Sequence, residues 1–82
     1  VNKSYKKGYR FEIRVKKYLE RLGYKVFRLA GSKPLDLIAF SRKEIYLIEC
    51  KYRRTNLNKA RKKILELSKG IPIYPVIAIN VN

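Results

Sequence analysis

Three apolar runs, YKVFRLA (24–30), LDLIAF (35–40) and IYLIECKY (45–52), are separated only by GSKP and SRKE. Connections this short cannot supply the dozen or more residues that a parallel crossover needs, so the spacing predicts an antiparallel meander. The runs are rich in aromatic and β-branched residues, as strands are, and Gly31 with Pro34 interrupts the first two. The turn at Ser41–Lys43 sets positions whose numbers sum to about 84 or 85 opposite each other. Asp36, at the start of one strand, therefore falls level with Glu49 or its neighbour, late in the next.

Helical spacing brackets the meander. Phe11, Val15, Tyr18, Leu19 and Leu22 form one apolar stripe and predict a helix from Ser4 or Tyr5 to Leu22. Ser4 is its expected N-cap and Gly23 its left-handed terminator, while Gly8 weakens the first turns. Leu57, Ala60, Ile64 and Leu67 predict a second helix, capped by Thr55, Asn56 or Asn58 and ended by Gly70. Lys59, Arg61, Lys62 and Lys63 project from the rest of its surface. IPIYP cannot continue a helix, and VIAINV (76–81) is a last strand, apolar on both faces. With no repeat, linker or low-complexity segment, residues 1–82 read as one α/β domain of order αβββαβ. A domain of this size lies near the lower limit for a self-sufficient core, so a partner subunit is expected to bury the remaining apolar surface.

The sequence has 21 Lys and Arg against 6 Asp and Glu, a net charge of +15. Such self-repulsion is ordinarily compensated by a polyanion. Nucleic acid leads, because neutralising phosphates releases condensed counterions; a ribosome-associated role or an anionic membrane surface are the alternatives. There is no histidine, and Cys50 is the sole cysteine. An internal disulfide, a Ser-His-Asp triad and His-based acid–base chemistry are thereby excluded, and the donors suit zinc poorly. One cysteine also fits a reducing, intracellular setting. No apolar run approaches the roughly 18 residues of a membrane span, and the polar, basic start VNKSYKKGYR does not read as a secretory signal.

The six acids divide. Glu20, Glu44 and Glu66 fall on helix surfaces or in a turn among lysines, as solvated charges do. Asp36 is either a strand-start residue satisfying backbone amides or a functional acid. Glu49, late in an apolar strand, needs a partner, and Lys51 on the same face could be a plain ion-pair partner. Asp36 and Glu49 side by side would repel and would not both stay ionised without a cation. Mg²⁺, with Mn²⁺ as a substitute, prefers such oxygen ligands and keeps several waters. Lys51 beside it would position a water and offset charge developing on a phosphate. The set suits metal-assisted phosphodiester hydrolysis.

Asp36 followed by Glu49-Cys50-Lys51 resembles the D…(D/E)xK signature of the PD-(D/E)xK nuclease superfamily. KGYRFE (7–12), GYKVFRLAGSKPLDLIAF and IYLIECK further resemble, in order, linked motifs of archaeal-type Holliday junction resolvases, over about residues 7 to 70. The resemblance implies a restriction-endonuclease-like core, a mixed sheet flanked by helices. By analogy Asp36 and Glu49 would be metal ligands, with the Cys50 carbonyl as a third oxygen and Glu12 reaching the metal directly or through water. Lys51 would act on the nucleophilic water, and Ser32 would lie near the scissile phosphate. Glu12 and Ser32 also have plain readings, as an early-helix acid and a turn residue. Two features depart from the pattern: the chain is shorter than typical resolvases, and Pro34-Leu35-Asp36 is one residue wider than the nominal Pro-Asp pair.

The implied activity is a Mg²⁺-dependent endonuclease on branched DNA such as a four-way junction. It would act as a two-fold homodimer, as symmetric double nicking requires. Lys6, Lys7, Arg10, Arg28, Lys33, Arg53, Arg54, Arg61 and Lys62 would bind phosphates, leaving selectivity to DNA shape. The expected setting is cytoplasmic and nucleoid-associated, in an archaeal or viral host. Two other readings stay open. One is a nuclease of the same core acting on nicked, flapped or linear DNA or on RNA. The other is a non-catalytic basic nucleic-acid-binding protein, for which a damaged site would be expected although Glu12, Asp36, Glu49 and Lys51 are all present.

Overall fold

The computed structural model describes residues 3–29, 31, 34–55 and 57–81. Its elements follow the expected order: α1 (Lys3–Arg21), β1 (Lys25–Arg28), β2 (Leu37–Phe40), β3 (Ile45–Lys51), α2 (Leu57–Ser68) and β4 (Tyr74–Ile79). The sheet order is β1-β2-β3-β4. The first three strands are antiparallel, and β4 returns through α2 to lie parallel to β3, a β-α-β unit. Sheet and helices thus form the mixed α/β arrangement that the resemblance implies.

The β2–β3 turn is tied by Ser41, whose N–H donates to the Glu44 carbonyl at 2.9 Å. Its hydroxyl accepts from the Lys43 and Glu44 N–H groups at 3.3 and 3.1 Å. The register runs from Phe40↔Ile45 to Leu37↔Ile48. Continued by one position, it sets Asp36 opposite Glu49.

Alternate residues of the strands face different helices. Val26, Leu37, Ala39 and Ile48 form one buried cluster, against which Val15 and Leu19 of α1 pack. Leu35 and Leu47 pack with Ile64 of α2 on the other face. Ile64 and Leu37 are fully buried, each contributing about 1.5–3 kcal/mol of transfer free energy.

Helix ends and strand limits refine the expectations. Lys3 opens α1, so Ser4 lies inside the helix and is not its N-cap. Gly23, at φ 100°, closes α1, with the Tyr24 N–H donating to the Leu19 carbonyl at 3.1 Å and the Gly23 N–H to Glu20 at 3.0 Å. Tyr18 and Leu22, expected in the buried stripe, are 55% and 58% exposed. They rim an apolar groove of about 560 Å³ between α1 and the sheet, lined also by Val15, Leu19, Val76 and Ala78. β4 starts earlier than VIAINV and includes Pro75. An edge strand tolerates the missing N–H of proline, and β4 is an edge.

Candidate active site

The site is built where β2 begins and β3 ends, on the face covered by α2. Three backbone and side-chain contacts pin Asp36, which is 5% exposed. Its N–H donates to the Ile48 carbonyl at 3.2 Å, and its carbonyl accepts from the Leu29 N–H at 2.9 Å. Its Oδ2 accepts from the Cys50 N–H at 2.8 Å. The backbone-satisfying role and a chemical role are therefore compatible, because a carboxylate has lone pairs for more than one partner.

Glu49 lies beside it. Its Oε2 takes a 2.8 Å ion pair from Lys63 of α2. Its Oε1 is buried without a hydrogen-bond partner, an uncommon state for a buried oxygen. Burial pushes the Glu49 carboxyl above the usual carboxylate range, and the neighbouring Asp36 charge pushes the same way, while Lys63 pulls it back. Lys51 borders, with Glu49, Lys59, Ala60 and Lys63, a pocket of about 230 Å³. The partner that Glu49 needs is thus Lys63 rather than Lys51. The cause is tertiary: docking of α2 on the Leu47 face carries Lys63 over the strand.

Two carboxylates, one with an orphaned buried oxygen, are a donor set suited to a hard divalent cation that retains much of its water. The Cys50 carbonyl lies in the same stretch of β3, which pairs Cys50 with Ala78. Among the described residues no group of three His, Cys, Asp or Glu side chains is gathered to hold a metal. Glu12 is held by Arg28, whose Nε donates to its Oε1 at 3.0 Å. Arg28, expected on the phosphate surface, also lies 4.6 Å over the Tyr9 ring. Ser32 and Lys33 lie outside the described residues, as does the candidate cap Asn56.

Several basic residues converge. Lys7, Arg53 and Arg54 line one cleft of about 410 Å³ with Tyr52, Asn80 and Val81. Lys7 and Arg53 border a second, of about 200 Å³, with Cys50 and Lys51. Arg10 lines a neighbouring depression with Lys7 and Tyr9. Lys6 is exposed, and Arg61 and Lys62 lie on the solvent side of α2. Lys63 was hidden among these lysines in the sequence. Its signal is position: it follows buried Ala60 by three residues and so flanks the packed stripe.

Comparison with known proteins shows the family. The sequence model of the family described as archaeal holliday junction resolvase (hjc) matches residues 3–79. The chain belongs to that family. This archaeal Holliday junction resolvase family member is 38% identical over 83 residues to the crossover junction endodeoxyribonuclease Hjc of Methanocaldococcus jannaschii, covering 96% of the chain. It spans 62% of that relative's length. Its fold is similar to that of Archaeoglobus fulgidus Hjc, a Holliday junction resolvase, with a TM-score of 0.71 at 22% identity. That match covers 93% of this resolvase-family chain and 67% of the other, and supports the restriction-endonuclease-like fold. No helix among the described residues is long and apolar enough to cross a membrane.

Proposed function

We propose that this protein is a divalent-metal-dependent endodeoxyribonuclease that hydrolyses phosphodiester bonds in branched DNA, with Mg²⁺ as its cation and Mn²⁺ as a substitute. The observation that carries the proposal is the Asp36–Glu49 pair, two adjacent carboxylates set by one strand register, with Glu49 Oε1 buried and unpartnered. Asp36 and Glu49 would hold the cation, and the Cys50 carbonyl would add a third oxygen. When bound, such a cation supplies Lewis acidity that lowers the pKa of a coordinated water and stabilises charge on the phosphate.

The chain's own residues do the rest. The Lys51 ammonium donates to the attacking water and orients it toward phosphorus, and it offsets charge on the phosphate oxygens. Water oxygen forms the new bond to phosphorus as the bond to the leaving oxygen breaks, and the proton lost by water ends on solvent or on that leaving oxygen. Lys6, Lys7, Arg10, Arg53, Arg54, Arg61 and Lys62 bind backbone phosphates, so the chain reads DNA shape rather than sequence. Ser32 would lie near the scissile phosphate. Glu12, held by Arg28, acts at the edge of the site through water. A homodimer working inside the cell would nick two strands symmetrically.

The test incubates the protein with Mg²⁺ and a four-way junction, linear duplex, flap DNA or RNA, beside Asp36→Asn. Paired symmetric nicks confined to the junction and lost in the variant support the proposal. Cleavage of the other substrates instead would retain the nuclease and change its target. Binding without cutting under either metal would overturn it.

A further inference from the structure

Lys63 differs from the two basic residues that immediately precede it on α2. Its neighbours Arg61 and Lys62 face solvent, whereas its Nζ lies 2.8 Å from Glu49 Oε2. The two ends of this ion pair differ: the Lys63 side chain is 45% exposed and that of Glu49 only 13%. The Glu49 carboxylate is thereby divided, one oxygen taken from the helix side and the other, Oε1, buried and unpartnered.

From this division we infer that Lys63 is a positioning residue, which fixes the Glu49 carboxylate from α2 and leaves Oε1 for the cation held with Asp36. The inference rests on the metal-site reading above. A glutamate side chain has several rotatable bonds, and freezing them on cation binding costs free energy. A short charge-assisted hydrogen bond to Oε2 sets the orientation beforehand. Lysine could instead act as a rival, since its ammonium repels a divalent ion. Two features make positioning the larger effect. Lys63 and the cation would use different oxygens, and the half-exposed ammonium is screened by solvent. Hydrogen-bond partners of metal-binding carboxylates are generally worth about 10–100-fold in metal affinity.

The experiment titrates DNA-free protein with Mn²⁺ and counts free ion by electron paramagnetic resonance. It compares wild type, Lys63→Met, Lys63→Arg and Asp36→Asn, with thermal melting of each as a check on folding. Wild type should bind and Asp36→Asn should not. Lys63→Met should bind about tenfold or more weakly while melting cooperatively, and Lys63→Arg should recover most of the affinity. A Lys63→Met affinity equal to or tighter than wild type overturns the inference and leaves the metal site standing. Absence of Asp36-dependent binding in wild type overturns the metal-site reading and this inference with it.

Discussion

Asp36 carries two duties, and substitutions can separate them. Its Oδ2 accepts the Cys50 N–H at 2.8 Å, and at 5% exposure the residue leaves water little room to replace it. Asp36→Ala strands that N–H, whereas Asp36→Asn keeps an acceptor oxygen of the same reach. Both remove the same negative charge beside Glu49, so relief of repulsion is common to them. The difference between the variants then isolates the hydrogen bond, and a stranded buried donor costs about 1–3 kcal/mol. In a domain of this size each kcal/mol moves the melting midpoint by roughly 4–8 °C. Asp36→Ala should therefore melt on the order of 10 °C below Asp36→Asn, while neither cleaves a junction. Metal-free thermal melts and junction cleavage at matched folded concentration check both halves. Equal melting of the two variants would refute the structural duty of Oδ2. Wild-type cleavage by Asp36→Asn would refute its role as a metal ligand.

Two further outcomes follow from the same geometry. Because burial and Asp36 raise the Glu49 pKa in the folded chain, protonated Glu49 is favoured by folding. Its contribution to metal-free stability is fully present below the unfolded glutamate range and is lost as pH rises through the raised folded value. Urea midpoints of wild type minus those of Glu49→Gln should decline over that window, and a rise would contradict the assignment. If Arg61 and Lys62 hold phosphates, replacing either with Ala should lower the slope of log Kd against log salt by about 1, equally for junctions of different sequence. An unchanged slope would place that residue off the DNA.

The central pair of the site was legible in the chain because it depends on short-range rules. A tight turn sets the register of the strands that it joins, so the spacing from Asp36 through Ser41–Lys43 to Glu49 already implied neighbouring carboxylates. The register Leu37↔Ile48 has that spacing. Turn residues and periodicity likewise placed Gly23 at the end of α1 and Ala60 and Ile64 in the core.

What the chain alone left open depends on how each helix is rotated and seated on the sheet. No local pattern says which face of β3 meets α2, so the sequence offered only Lys51, on the strand itself, to partner Glu49. Packing of Ile64 on Leu47 decides for Lys63. The same holds for Arg28, basic and strand-borne in the sequence but drawn to Glu12 by the seating of α1. Tyr18 and Leu22 belong to the apolar stripe by spacing, yet the sheet beneath α1 covers only part of it. Sequence determined the strand register and the acids it juxtaposes, because turn length is a local constraint. Tertiary structure decided which basic side chain attends each acid, because that choice follows from long-range packing.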